Sequence, residues 1–402
     1  MDLANAPRLK LDRARPAPAP PRAGAMSGTG TGADRIVLLD PADLHAPALR
    51  AQWDRLVRDA SEPNPFFEPF FLLPGLARWG AAARVRVKAF YRGERLCGLY
   101  PVVRAQRYFG YPVAHATGWL HANAFCGTPL VARGAEEAFW RALFAHFDRS
   151  ARYALFLHVP TLPDNGPLAR ALEAVLARQG RARSVARRES RAMLASDLDP
   201  AAYLERAMRA KKRKELRRQH TRLAERGDLA FERLGGEERL AQWTDEFLAL
   251  EAAGWKGEAG SALDSEADTR TFFAEALRGA AAAGRLERLA LRLDGAPVAM
   301  LASFLSAPGA FSFKTAFDED HARFSPGLLL QLENLALLET PGIAWADSCA
   351  AEGHSMIERL WREKRTLASH NIAIGSPLRR AAFGALMKWE NRGGANRRRR
   401  PQ

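Results

Sequence analysis

The stretch Phe311–Gln331, FSFKTAFDEDHARFSPGLLLQ, decides how the rest of the chain is read. Phe311, Phe313, Thr315 and Phe317 alternate with Ser312, Lys314, Ala316 and Asp318, the period of a strand with two distinct faces. An acidic and then basic loop follows, and Ser325-Pro326-Gly327 opens a leucine-rich run. Proline suits the first position of a helix, where no N–H is missed, and Ser325 is an expected N-cap. Strand, loop and helix N-terminus together predict an anion site, because unpaired amides and the helix dipole face outward there. The alternative is an ordinary strand–helix corner.

The segments before it extend the pattern. Leu289, Leu291 and Leu293 alternate up to Asp294-Gly295, a hairpin signal, and residues 297–306 return. Two helices are predicted at 237–253 and 266–283, after a strand at 229–234. After the leucine run come Pro341-Gly342, a strand at 343–348, a helix near 355–366, a strand at 370–374 and a helix at 377–391. The first half reads in a similar order, with a helix at 43–60, a hairpin at 84–104, and a strand near 125–131. A helix at 135–149, a strand at 153–159, a helix at 165–179 and a strand at 182–194 follow. The proline-interrupted segment NPFFEPFFLLPGL at 64–76 interrupts this order.

At 402 residues the chain has room for two domains. Its net charge of +15 resides in three segments, 1–33, 205–226 and 391–402, so the remainder is near neutral and a uniformly basic surface is excluded. The two ends read as disordered tails, with Met26 as an alternative start. Residues 203–226 read as one helix with Leu204, Met208, Leu216 and Leu223 on a docking stripe and cations elsewhere. No apolar run is long enough for a membrane span, and the N-terminus lacks the apolar core of a secretory signal. Cys97, Cys126 and Cys349 lie far apart, with no CxxC or HExxH signature, which argues against disulfides or a metal site and fits a cytoplasmic protein.

The motifs KKRKELRRQHTRLAERG at 211–227, WKGEAGSAL at 255–263 and GRLERLALRLDGAPVAMLASFLSAPGAFSFKTAFDEDHARFSPGLLL at 284–330 carry a family resemblance. With the element order, they resemble the GNAT acyltransferase superfamily, in particular its CelD/BcsL-like (BioF2-like) branch, related to the FemABX aminoacyltransferases. The similarity covers about residues 180–380; the N-terminal half matches by architecture and by NPFFEPFFLLPGL. It implies an α/β fold with mixed sheets: tandem GNAT-like (acyl-CoA N-acyltransferase) domains at 34–195 and 196–390, each a central mixed sheet flanked by helices.

The resemblance also implies the chemistry. An amine or hydroxyl attacks a thioester carbonyl directly, with acyl-CoA as co-substrate and no metal. The family's Arg/Gln-x-x-Gly-x-Gly/Ala loop, which cradles the coenzyme A pyrophosphate, corresponds here to Arg323-Phe-Ser-Pro-Gly327, which keeps one glycine. Arg323, Ser325, Gly327, Leu328 and Leu329 are then expected at the donor. Asp318 or Glu319 is a candidate base, with an exposed loop carboxylate as the alternative. Asp347 and His354 are candidate acceptor-binding or relay groups, and Cys349 with His354 a conceivable nucleophilic pair. Trp255, Lys256 and Lys314 are expected to bind substrate, with a helix corner or a plain salt bridge as the alternative.

The acceptor implied is a small molecule or saccharide, an envelope or exopolysaccharide precursor. The alternatives are a FemABX-like donor, aminoacyl-tRNA, or a non-catalytic scaffold in polysaccharide biosynthesis. The basic helix and tails make tRNA or an anionic membrane inner face the other expected contacts.

Overall fold

The computed structural model describes residues 33–397, with side chains through Met387. The tail expected at 1–33 lies outside these residues but for Ala33, as does 398–402. Residues 391–397, expected as the start of a disordered tail, continue the last helix, Pro377–Arg397.

Thirteen strands form one sheet. They are β1 (Asp34–Leu39), β2 (Arg86–Arg92), β3 (Arg95–Ala105), β4 (His115–Gly118), β5 (Leu130–Val131), β6 (Phe156–Pro163) and β7 (Arg183–Leu194). The others are β8 (Leu229–Gly235), β9 (Leu286–Leu293), β10 (Ala296–Ser306), β11 (Gly309–Phe317), β12 (Trp345–Asp347) and β13 (Glu363–Ala373). Their spatial order is β1-β2-β3-β4-β6-β13-β7-β12-β11-β10-β9-β8, with β5 beside β3. Read inward from either edge, the two halves repeat. Four antiparallel-linked strands lead to one parallel neighbour, β6 beside β4 and β12 beside β11.

The halves do not separate at 195. β13, from the end of the chain, inserts between β6 and β7, and β7 pairs with both β13 and β12. Each expected domain therefore completes its sheet with a strand from the other. β13 is eleven residues long, where a five-residue strand was expected, and the helix expected near 355–366 is reduced to a 3-10 turn, Ile357–Arg359. β4 is a short strand in the interval between the expected hairpin and the strand expected at 125–131, and only Leu130–Val131 of that strand pairs.

A second interlock runs through aromatic rings. Asn64 accepts from the Phe66 amide at 3.0 Å and donates to the carbonyls of Cys126 and Thr128, which fixes the turn before Pro65 and Pro69 start two short helices. Phe66, Phe70 and Phe71 then enter the core of the second half among Phe272, Phe304 and Phe313. Each buried phenylalanine contributes on the order of 1.5–3 kcal/mol. Below them the buried Glu68 pairs with Arg285 at 3.1 Å. Desolvation raises the Glu68 carboxyl to about 7, against the pull of Arg285.

At the seam, the fully buried Asp347 on β12 accepts from Arg365 of β13 at 2.8 Å, and the guanidinium lies over Trp345 at 4.4 Å. Breaking a buried pair leaves an uncompensated charge. Arg365→Met is expected to cost roughly 3–5 kcal/mol in a urea titration, and adding Asp347→Asn to recover much of it. A single-mutant loss below about 1 kcal/mol would show that the pair does not hold the seam.

Candidate active site

The site forms where β11 leaves its neighbours. β11 pairs with β12 only at Gly309–Phe311 against Trp345–Asp347, and then the two strands diverge. On the other side a bulge falls between Ala302 and Ser303 of β10, where Ser312 and Lys314 are paired and Phe313 has no partner. A bulge bends its strand and re-aims the residues beyond it. A wedge therefore begins beside residues 312–317 of β11, which have no strand partner on the β12 side. The corresponding wedge in the first half is closed: Gly118 packs on Tyr100 and Gly127 on Pro160 with no room for a Cβ.

Three charged groups meet in the second-half wedge. Lys256 donates to the buried Glu251 at 2.7 Å and to the Thr315 carbonyl at 3.3 Å, which ties the helix Trp255–Glu258 to β11. Glu251 also accepts from the Leu263 amide at 2.8 Å. Lys314 stands beside them, its ammonium over Phe125 at 5.5 Å and Phe313 at 5.7 Å. Burial lowers the Lys314 pKa to about 8; Glu251 pulls it up and Lys256 pushes it down. Phe125 belongs to the first half, and its carbonyl is held by Arg191 of β7 at 2.6 Å. Both halves thus build this wall. The sequence singled out Lys256 and Lys314; Phe125 and Arg191 carried no local signal because what they meet is remote in the chain, and Glu251 reads as an ordinary helix carboxylate although its partner Lys256 is only five positions on.

The donor corner keeps its place but differs in detail. Ser325 stands at the N-cap in the left-handed region (φ 56°) and makes no side-chain cap bond. Its carbonyl accepts from the amides of Leu328 (2.9 Å) and Leu329 (3.0 Å), so these two expected donors are already committed. Gly327 is buried; a Cβ there would lie 3.3 Å from Met356 Sδ and 3.5 Å from Phe317. Its missing side chain lets Met356 pack against the first turn of the helix Pro326–Glu333. Arg323 is exposed over Phe324, and its carbonyl accepts from Gln219 at 3.3 Å.

Gln219 belongs to the basic segment, which is two helices and not one. Pro200–Ala207 and Ala210–Ala224 are separated at Met208, whose backbone is extended. Arg213 caps the first of them by donating to the carbonyls of Met208 (2.9 Å) and Glu205 (3.1 Å). Met208, Leu216 and Leu223 are buried as expected, packed with Phe324, Leu328 and Leu329 of the corner. At the break a surface pocket of about 420 Å³ is lined by Arg209, Lys212, Arg359 and Arg362.

The other expected residues are engaged elsewhere. Asp318 caps the turn Glu319–Phe324 through the Asp320 amide (2.9 Å) and pairs with His321 (2.9 Å). Glu319 accepts from the Trp255 amide at 2.8 Å, clamping the 254–255 corner, and Trp255 is 56% exposed. Asp347 is held by Arg365 and by the Cys349 amide (2.8 Å). His354 is exposed on the loop beyond. Burial and the neighbouring Asp347 push the Cys349 thiol well above its ordinary value, the reverse of what a thiolate nucleophile needs. Cys349 and His354 do not form a nucleophilic pair.

Residues 210–354 match a family model described as an acetyltransferase (GNAT) domain, a span that runs from the basic helix through the corner and the wedge to His354. No curated protein matches the chain. Among solved structures, FemX shares 10% identity at a TM-score of 0.52, over 81% of this chain and 96% of that one. A protein of unknown function from Bacteroides thetaiotaomicron shares 13% at 0.50, over 81% and 96%. The C-terminal domain of a putative lysylphosphatidylglycerol synthetase from Agrobacterium fabrum shares 14% at 0.50, over 86% and 97%. Likeness at such identities is likeness of fold. The chain has two topologically similar halves in one mixed sheet, and residues 210–354 of the second are what match the GNAT acetyltransferase model.

Between about 8 and 10.5 the unfolded chain holds the Lys314 proton and the folded chain has released it, so this residue makes stability rise with pH in that window. Lys314→Met is expected to raise the melting temperature at pH 7 and to lose that advantage as pH climbs from about 8 to 10.5. A pH-independent difference would show that the ammonium is not held at a cost.

Proposed function

We propose that the chain is an acyl-CoA-dependent acyltransferase of the CelD/BcsL-like (BioF2-like) branch. In this reading it moves an acyl group directly to an amine or hydroxyl on a saccharide or envelope precursor. The observation that carries the proposal is the desolvated Lys314 ammonium on β11, the strand whose end leads through the Glu319–Phe324 turn into the donor corner. As the acceptor attacks the thioester carbon, negative charge develops on the carbonyl oxygen. A cation already desolvated and fixed there stabilises that charge without reorganising. The new C–N or C–O bond forms, the C–S bond breaks, and coenzyme A leaves as the thiolate. The acceptor proton passes to water, because Asp318, Glu319 and Asp347 are occupied in structural bonds. Trp255 and Lys256 border the acceptor side.

On the donor side, the four cations of the pocket beside Met208 suit the donor phosphates through charge-assisted bonds, with Arg323 and the Gly327 amide nearer the corner. Ser325, Leu328 and Leu329 shape this turn rather than donate from it. The basic helix packed on the same corner also favours a second reading, aminoacyl-tRNA as donor. A salt-sensitive retention of tRNA that depends on Lys211 and Lys214 would select it. Among the described residues no helix is long and apolar enough to cross a membrane, so a membrane-borne acceptor would be met peripherally.

A panel of acyl-CoAs of graded chain length is expected to raise the melting temperature of the protein, and the exposed-site variant Arg323→Glu and Gly327→Asp to weaken that shift. With the preferred acyl-CoA, Lys314→Met is expected to lower kcat by about 10²–10³ with little change in KM. Absence of a shift with every acyl-CoA would sink the donor assignment.

A further inference from the structure

The first half has its own concave site, remote in sequence from the donor corner. Between β2, β3, the start of β4 and the end of the helix Glu136–Ser150 lies a cavity of about 560 Å³, within the range of small-molecule sites. Arg84, Arg86, Lys88, Arg104 and Arg152 line it, no carboxylate does, and Val102, Phe147 and Ala151 give it apolar walls.

The charge there is not neutralised from within. Arg86 reaches Asp40 at 2.6 Å on the exposed rim, and Arg104 donates to the Ser150 carbonyl at 2.5 Å. Lys88, only 7% exposed, meets the Nε2 atom of His146 at 3.0 Å and the ring of Phe147 at 5.5 Å, and neither is an anion. With an ammonium as donor, His146 must be the acceptor and therefore neutral. Burial, then Lys88, Arg149 and Arg104, hold the His146 pKa down to about 4. Burial, then Arg104 and Arg86, hold Lys88 down to about 8, and Arg104 is itself depressed by burial and by Arg152. Like charges gathered around a desolvated ammonium destabilise the fold unless an anion is bound among them.

We propose that this cavity binds a phosphate- or diphosphate-bearing small molecule, its charged group between Lys88, Arg104 and Arg152 and its apolar portion along Val102, Phe147 and Ala151. Several cations converging from different strands suit a polyanionic oxygen cluster better than a single carboxylate. The site is independent of the acyltransferase reading.

The test uses the full chain and inorganic pyrophosphate as probe, with chloride at matched ionic strength as reference. Pyrophosphate is expected to raise the melting temperature of the wild type and of Gly327→Asp, and to lose most of that effect in Arg104→Gln/Arg152→Gln, both at exposed positions. Lys88→Met is expected to melt higher than the wild type without ligand and to gain nothing from pyrophosphate. Vesicles of phosphatidylglycerol that displace the probe would identify a lipid headgroup as the source, and displacement by a nucleoside diphosphate alone a soluble one. A shift that survives in the double variant but vanishes in Gly327→Asp would place the anion at the donor corner and overturn the proposal. So would the absence of any shift.

Discussion

The constraint on which the molecule depends is the antiparallel pairing of β7 with β13 over Glu363–Ile372. Neither half ends in a finished sheet. Each lends its last strand to the other, and β6 and β12 then flank the shared pair. The two parallel neighbours, β4–β6 and β11–β12, are thereby set symmetrically about the centre, and each is the place where a wedge can open. What differs between the halves is the filling. In the first, glycines let Tyr100 and Pro160 close in. In the second, β11 carries a bulge against β10, and Lys314 follows it between Phe125 and Phe313.

The aromatic segment at 64–76 gives that asymmetry a direction. It leaves the first half and enters the core of the second, so the wall of the wedge carries rings from both. Phe125 makes the point most directly: a first-half residue faces the Lys314 ammonium and is fixed by an arginine on the shared strand β7. The first half therefore shapes the electrostatics of a site whose backbone belongs to the second. Its own charged cavity lies at the opposite end of β4 from Gly118, so the two concave regions do not compete for the same strand end.

Much of this was legible in the chain. The alternation through Phe317, the Asp294-Gly295 turn and Ser-Pro-Gly located β9 to β11 and the corner, because each rests on local backbone preferences. The exchange of β7 and β13 was not, since the pairing joins residues far apart and TLASHNIA is too weakly periodic to reveal a long strand. The break at Met208 has no glycine or proline to announce it; a guanidinium from the next helix stabilises the end there. At the site, lysines beside a strand were visible as candidates. Asp347 looked free for chemistry until Arg365, eighteen positions later, proved to be its partner. Acidic residues near a corner are as readily used to cap turns, as Asp318 and Glu319 are.

The exchanged strands also bear on how such a chain can be divided. A cut in the connection between β7 and the helix Pro200–Ala207 would yield two fragments that each expose an unpaired central edge, rather than two domains. Each edge is complementary to the other fragment over ten paired positions, with one register shift between Ser369 and His370. The covalent link at that connection is thus dispensable to the architecture in a way the strands are not. A gene split there would encode a two-subunit protein with one continuous sheet.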